Sequence, residues 1–257
     1  MAAHPPVVLV HGVGFGPGTL AELSMALAVQ APVLCLARRG YGDRDGLEPA
    51  ASVDEHVEDV LGLLDAAGID RAIIAGMSGG ATVALATALT RPERVIVAVA
   101  HEPAVGSVAP ELRALVRRAL HRGGGRELLR VLAGEETWSA LSGAAVAALE
   151  ASTGLVEADA AAFLAFEPAL GAFDPAPGVF DPAPRAFDPG PGTAGALPPL
   201  VCSVGERSSP LRYAVAERLA ARTGAPVAVV PACGHLPQLD APEAFAELIL
   251  EHALINA

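Results

Sequence analysis

Along the chain, short uninterrupted apolar runs alternate with longer stretches whose apolar positions recur at helical spacing. The runs are Pro6–Val10, Val33–Leu36, Ala72–Ala75, Val95–Ala100, Leu200–Val204 and Val227–Val230. None alternates apolar with polar residues. Each therefore reads as a strand buried on both faces, as in a parallel sheet covered by helices. Helical patterns lie between them at about 17–29, 52–67, 79–91, 211–223 and 241–254. Ser52 and Glu55 have the spacing of a capping box. Asp240 is placed to cap the last helix, with Pro242 in its first turn. The β-α alternation predicts an α/β fold with a doubly wound, mostly parallel sheet.

One region breaks the alternation. Between Pro103 and about Pro199 no stretch reads as a strand. Glu111–His121, Arg126–Leu132, Gly143–Ser152 and Ala158–Phe166 read as short helices. A seven-residue repeat then carries Phe-Asp-Pro three times, at Phe173, Phe180 and Phe187. Two prolines per repeat forbid a helix or a central strand, so the segment (about 172–192) reads as an extended or disordered loop. Three short copies are too few for a solenoid. A tract expanded without function is favoured over a docking motif. The expected organisation is a core of residues 1–102 and 197–257, with a helical insertion at 103–196 that ends in the repeat.

Composition narrows the function. The 257 residues are 52% apolar, 18% charged and 4% aromatic, with a net charge of −12. So acidic a surface repels phosphate backbones and anionic headgroups, which disfavours nucleic-acid and membrane-surface partners. Mean hydropathy is high at +0.44, but no apolar run approaches the ~20 residues of a spanning helix. Cys35, Cys202 and Cys233 are scattered and odd in number, forming neither a metal cluster nor a disulfide framework. With no basic-then-apolar leader at Met1–Pro6, free thiols lead to the expectation of a reducing cytoplasm.

Three segments carry chemistry. Gly76-Met77-Ser78-Gly79-Gly80 follows an apolar strand and precedes an Ala/Leu-rich helix. This Gly-x-Ser-x-Gly in a strand–turn–helix setting is what a nucleophile elbow requires, with Ser78 projecting above the sheet at a helix N-terminus. The alternative is an ordinary tight turn in an Ala/Gly-rich chain. Val8 to Gly14 ends the first strand with His11-Gly12-Val13-Gly14. The Val13 and Gly79 amides are candidate donors to a developing oxyanion. His11, a histidine before glycine at a strand end, reads as a structural brace. Cys233-Gly234-His235 follows the last strand, where a general base belongs. His4, His56, His121 and His252 lack such a setting.

Together these residues resemble the α/β-hydrolase superfamily, in the order His11-Gly12-Val13-Gly14, Arg39-Gly40-Tyr41-Gly42, the Ser78 turn and Gly234-His235. The resemblance covers nearly the whole chain. It implies a sheet of eight or nearly eight strands, a lid inserted after the sixth strand of that sheet (here the run ending near Ala100), and Ser78 and His235 as nucleophile and base. It implies esterase, lactonase, thioesterase or C–C hydrolase chemistry without cofactor or metal. Serine as nucleophile argues against dehalogenases and epoxide hydrolases, which use Asp there.

Two positions depart from the family. Ser208 stands where many members carry the acid. Glu102, after the run Val95–Ala100, and Glu206, two residues early, are the replacements. Glu102 is favoured because some relatives place the acid at the end of that earlier strand. Otherwise Glu102 lines the pocket beside His101. Ala37 stands where relatives often have Asp, which leaves Arg38 and Arg39 without a local carboxylate and is expected to affect the turn. The resulting expectation is a serine hydrolase, a monomer or homodimer, that opens a small-to-medium apolar ester or lactone through an acyl-enzyme. A thioesterase, cyclase or C–C hydrolase on the same residues, a non-catalytic binding domain, and a cofactor-free perhydrolase or lyase remain as alternatives.

Overall fold

The computed structural model describes residues 4–168, 170 and 199–255. Six strands form one sheet, all neighbours parallel: β1 (Val7–Val10), β2 (Val33–Leu36), β3 (Ala72–Met77), β4 (Val95–His101), β5 (Leu200–Gly205) and β6 (Val227–Val230), in the order β2-β1-β3-β4-β5-β6. Helices α1 (Ala21–Ala28), α2 (Val53–Ala66) and α3 (Gly79–Thr90) connect the first strands. A helical insertion separates β4 from β5: α4 (Pro110–Ala133), α5 (Glu135–Ala140), α6 (Gly143–Ala151) and α7 (Thr153–Ala165). The chain closes with α8 (Pro210–Thr223), α9 (Pro237–Asp240) and α10 (Pro242–Ile255).

The continuous apolar runs are explained by two cores, one on each face of the sheet. Val8, Val10 and Ile74 face a core shared with α2, α3 and the insertion. Val7, Leu9 and Ile73 face a second core shared with α1 and α10. A strand that feeds both cores has no polar positions to alternate. α3 is sandwiched between sheet and insertion, and Gly79 through Ala88 are all buried.

The sheet has six described strands, where the resemblance implied eight or nearly so. Accordingly the insertion follows the fourth strand here, and the sixth-strand count belongs to the larger sheet. α4 is broken at Gly123–Gly124, with φ +61° at Gly124, which matches two predicted helices rather than one. Ser52 Oγ accepts from the Glu55 amide at 3.4 Å and caps α2. Asp240 does not cap α10. It ends the one-turn helix α9, and its Oδ2 accepts from the Gly234 amide at 2.9 Å, which ties down the loop carrying His235. The Phe-Asp-Pro repeat lies outside the described residues.

The chain runs from β1 out to β2, then back past β1 to β3. That reversal opens a crevice at the carboxyl ends of β1 and β3, where doubly wound folds place their ligands.

Candidate active site

Ser78 sits in that crevice, between β3 and α3. Its backbone is left-handed, with φ +55° and ψ −119°, a conformation costing of order 1–3 kcal/mol for a non-glycine residue. The flanking glycines make the turn possible. A Cβ on Gly76 would lie 2.2 Å from the Gly80 carbonyl oxygen, and one on Gly80 only 2.0 Å from the Val10 carbonyl oxygen. The Ser78 amide donates to the His101 carbonyl at 2.9 Å, and its carbonyl accepts from the Thr82 amide at 3.1 Å.

The two expected amide donors are brought together beside it. Gly79 is the first residue of α3, so its N–H has no carbonyl four residues back within the helix. Val13 is adjacent: a Cβ on Gly79 would come within 3.0 Å of Val13 Cγ2. Among the described residues the Val13 amide donates to no protein acceptor. The loop holding Val13 is braced as expected. His11 Nε2 accepts from the Arg38 amide at 3.1 Å, and its Nδ1–H donates to the Gly12 carbonyl at 3.0 Å.

Glu102 follows β4 directly and is also left-handed, with φ +49°. Its carboxylate is fully buried. Oε2 accepts from His235 Nδ1 at 2.6 Å. Oε1 accepts from the Gly205 amide at 3.0 Å and from Ser208 Oγ. Ser208, the residue that replaces the usual acid, thus holds the carboxylate arriving from β4. Burial pushes the Glu102 carboxyl upward, but the His235 hydrogen bond and the nearby His101 and Arg212 outweigh it and hold the group well below the usual carboxylate range. Glu206 makes no hydrogen bond to the imidazole among the described residues. Its Oε2 accepts from the Ala232 amide at 2.9 Å and braces the turn before Cys233.

His235 is buried. Burial first, then the Arg212 charge, lower its pKa below 6.5 despite the opposing pull of Glu102. The ring is therefore neutral at pH 7, with its Nδ1–H on Glu102 and a lone pair at Nε2. Ser78 Oγ makes no hydrogen bond to that lone pair among the described residues. Arg212 Nη2 stands 3.4 Å from Nε2 instead.

A second polar network connects the Val13 loop to α7. Arg38, fully buried, donates to the Gly12 carbonyl at 3.0 Å and to Asp159 Oδ2 at 2.8 Å. Tyr41 Oη donates to the same Asp159 oxygen at 2.8 Å and accepts from the Gly14 amide at 2.8 Å. The carboxylate missing at Ala37 is thus supplied by the insertion, while Arg39 pairs with Asp59 at 3.0 Å. One turn after Asp159, Phe163 packs on Gly79. A pocket above Ser78 is lined by Val13, Leu112, Leu128, Phe163, Leu164 and Arg212, among others, with about 30 Å³ free. That holds one or two waters.

Sequence reasoning missed Arg212, Asp159 and the role of Ser208. For Arg212 a signal existed. A cation in the first turn of a helix opposes the helix dipole, and Arg212 is the third residue of α8. Asp159 carried none, being separated from Arg38 by 121 residues.

A parallel doubly wound sheet, with a strained serine turn at one strand end and a carboxylate–histidine pair at two others, defines an α/β-hydrolase arrangement. The model of the alpha/beta hydrolase family matches residues 7–248, and the chain belongs to that family. Among curated proteins, 90 residues are 38% identical to the dihydrolipoyllysine-residue acetyltransferase component of the acetoin cleaving system of Pseudomonas putida, over 35% of this chain and 24% of that protein. In a separate match, 124 residues are 36% identical to the provisionally assigned carbamate hydrolase RutD of Klebsiella pneumoniae (strain 342), over 47% of this chain and 46% of that one. The chain thus matches less than half the length of these relatives. Among solved structures, Est816, described as an N-acyl homoserine lactone degrading enzyme, superposes with a TM-score of 0.71 at 21% identity, over 97% of this chain and 92% of that one. The enol-lactonase of Burkholderia xenovorans LB400 does so at 0.64 and 18% identity, over 98% and 92%. At such identities the likeness shows the fold. Among the described residues no helix is long and apolar enough to cross a membrane.

Proposed function

We propose that the chain is a serine hydrolase acting on a small-to-medium, largely apolar ester or lactone through an acyl-enzyme. Ser78 attacks the carbonyl while His235 Nε2 accepts its proton. The Val13 and Gly79 amides receive the charge that develops on the carbonyl oxygen. His235 then protonates the leaving group and activates the water that releases the acid. Glu102 holds the imidazole in the tautomer with Nδ1–H and stabilises its charged form. The observation that carries this reading is the 2.6 Å Glu102–His235 bond, together with a serine on a left-handed turn at the end of β3. α4–α7 serve as the lid. About 30 Å³ is free beneath them.

Hydrolysis of a short-chain p-nitrophenyl ester tests the reading. Ser78→Ala is expected to lose at least about 10⁴-fold in kcat, and unchanged turnover in that variant would exclude this nucleophile. The lack of a Ser78–His235 bond favours one competing reading, a binding domain without turnover. Sustained p-nitrophenolate release dependent on both residues rules that reading out.

A further inference from the structure

Arg212 is the one charged residue among the described residues lining the pocket above Ser78. The rest of that lining is apolar apart from Ser78 itself. The arginine is 7% exposed, and a guanidinium keeps its charge when buried. Yet its contacts are poor for such a group. Nη2 lies 3.4 Å from His235 Nε2, and Nε lies 3.6 Å from Glu102 Oε2. Charge-assisted bonds to carboxylates are about 2.7–2.9 Å. Arg38, fully buried, shows the contrast, with Asp159 at 2.8 Å and the Gly12 carbonyl at 3.0 Å. Glu102 is already committed to His235, Gly205 and Ser208. The one ion pair of Arg212 is thus long and shared with His235, which leaves the buried guanidinium incompletely satisfied, a costly state unless a further acceptor pairs with it.

We propose that the site takes an acyl substrate bearing its own carboxylate a few bonds from the scissile carbonyl, with Arg212 receiving that carboxylate. The proposal rests on the hydrolase reading above. The apolar lining fits a hydrocarbon spacer, and the position of Arg212 beside His235 sets the spacer short. Recognition is coupled to catalysis. Without substrate, the guanidinium donates to the Nε2 lone pair that Ser78 needs. A substrate carboxylate is a stronger acceptor than that neutral nitrogen, so binding draws the guanidinium away and frees Nε2 for the serine.

The test compares kcat/KM for mono-p-nitrophenyl glutarate and p-nitrophenyl valerate, with uncatalysed hydrolysis subtracted, in the wild type, Arg212→Gln and Arg212→Lys. The wild type is expected to prefer the half-ester by at least about 10-fold. Arg212→Gln should shrink the preference by about 10- to 100-fold, the span of one charged hydrogen bond, and Arg212→Lys should retain part of it. The proposal is overturned by a wild type that prefers valerate. It is equally overturned by an Arg212→Gln that lowers both substrates by one factor, which would make Arg212 only a support for Glu102 and His235. Calorimetric binding of glutarate separates this from the parent reading. Binding that is lost in Arg212→Gln upholds carboxylate recognition even if neither ester turns over, and absent binding in the wild type overturns it.

Discussion

Glu102→Gln probes the proposed triad acid with little change in shape. The Gly205 amide can only donate, and it lies 3.0 Å from Oε1. In the variant this donor fixes the amide oxygen at the Oε1 position and turns the NH₂ group toward His235 Nδ1. The bond that is 2.6 Å from Nδ1 to Oε2 would then pair donor with donor. It is relieved only if Nδ1 loses its proton and accepts. Nε2 then carries the hydrogen and cannot deprotonate Ser78. A wrong tautomer of this kind costs about 10⁴-fold in kcat, or about 5.5 kcal/mol of transition-state stabilisation. The assay is p-nitrophenyl ester hydrolysis for Glu102→Gln and Glu206→Gln together, with circular dichroism to confirm that both fold. Glu206→Gln should stay within a few-fold of wild type, since that carboxylate braces the Ala232 turn. A crippled Glu206→Gln beside an active Glu102→Gln would refute the reasoning.

Other outcomes follow from the same contacts. Asp159→Ala leaves the buried Arg38 charge unpaired and should cost about 3–5 kcal/mol in urea denaturation, together with ester hydrolysis, because Asp159 also anchors Tyr41 below the Gly14 amide. Gly80→Ala forces a methyl to 2.0 Å from the Val10 carbonyl oxygen and should destabilise by about 1–3 kcal/mol or prevent folding; a fully stable variant would contradict the turn geometry. Burial, followed for His56 by the Arg38 charge, depresses His56 to about 3, and burial depresses His101 to about 4. The unfolded chain then binds more protons below 6.5, and stability should fall as pH drops from 6.5 toward 4, by up to about 1.4 kcal/mol per pH unit for each ring. Flat stability across that window would show these rings charged in the fold. The acid limb of kcat/KM should lie below pH 6.5 and shift upward in Arg212→Gln, since removing that cation stabilises the imidazolium.

The sheet was legible because its strands feed two cores and so appear as unbroken apolar runs. The serine turn was legible because close backbone contacts at Gly76 and Gly80 admit only glycine. Long-range pairings left no local mark. Asp159 answers the gap at Ala37 from another helix, and Ser208 turns an apparent loss of the acid into a hydrogen bond to Glu102. The expected Asp240 cap failed for a related reason: its carboxylate had a nearer donor in the Gly234 amide.

The most direct measurement of the central claim is covalent capture by a fluorophosphonate, read by peptide mass spectrometry. Stoichiometric modification of the Ser78 peptide, lost in His235→Ala, is the expected result. No adduct on the folded protein, or an adduct on another residue that survives Ser78→Ala, would contradict it.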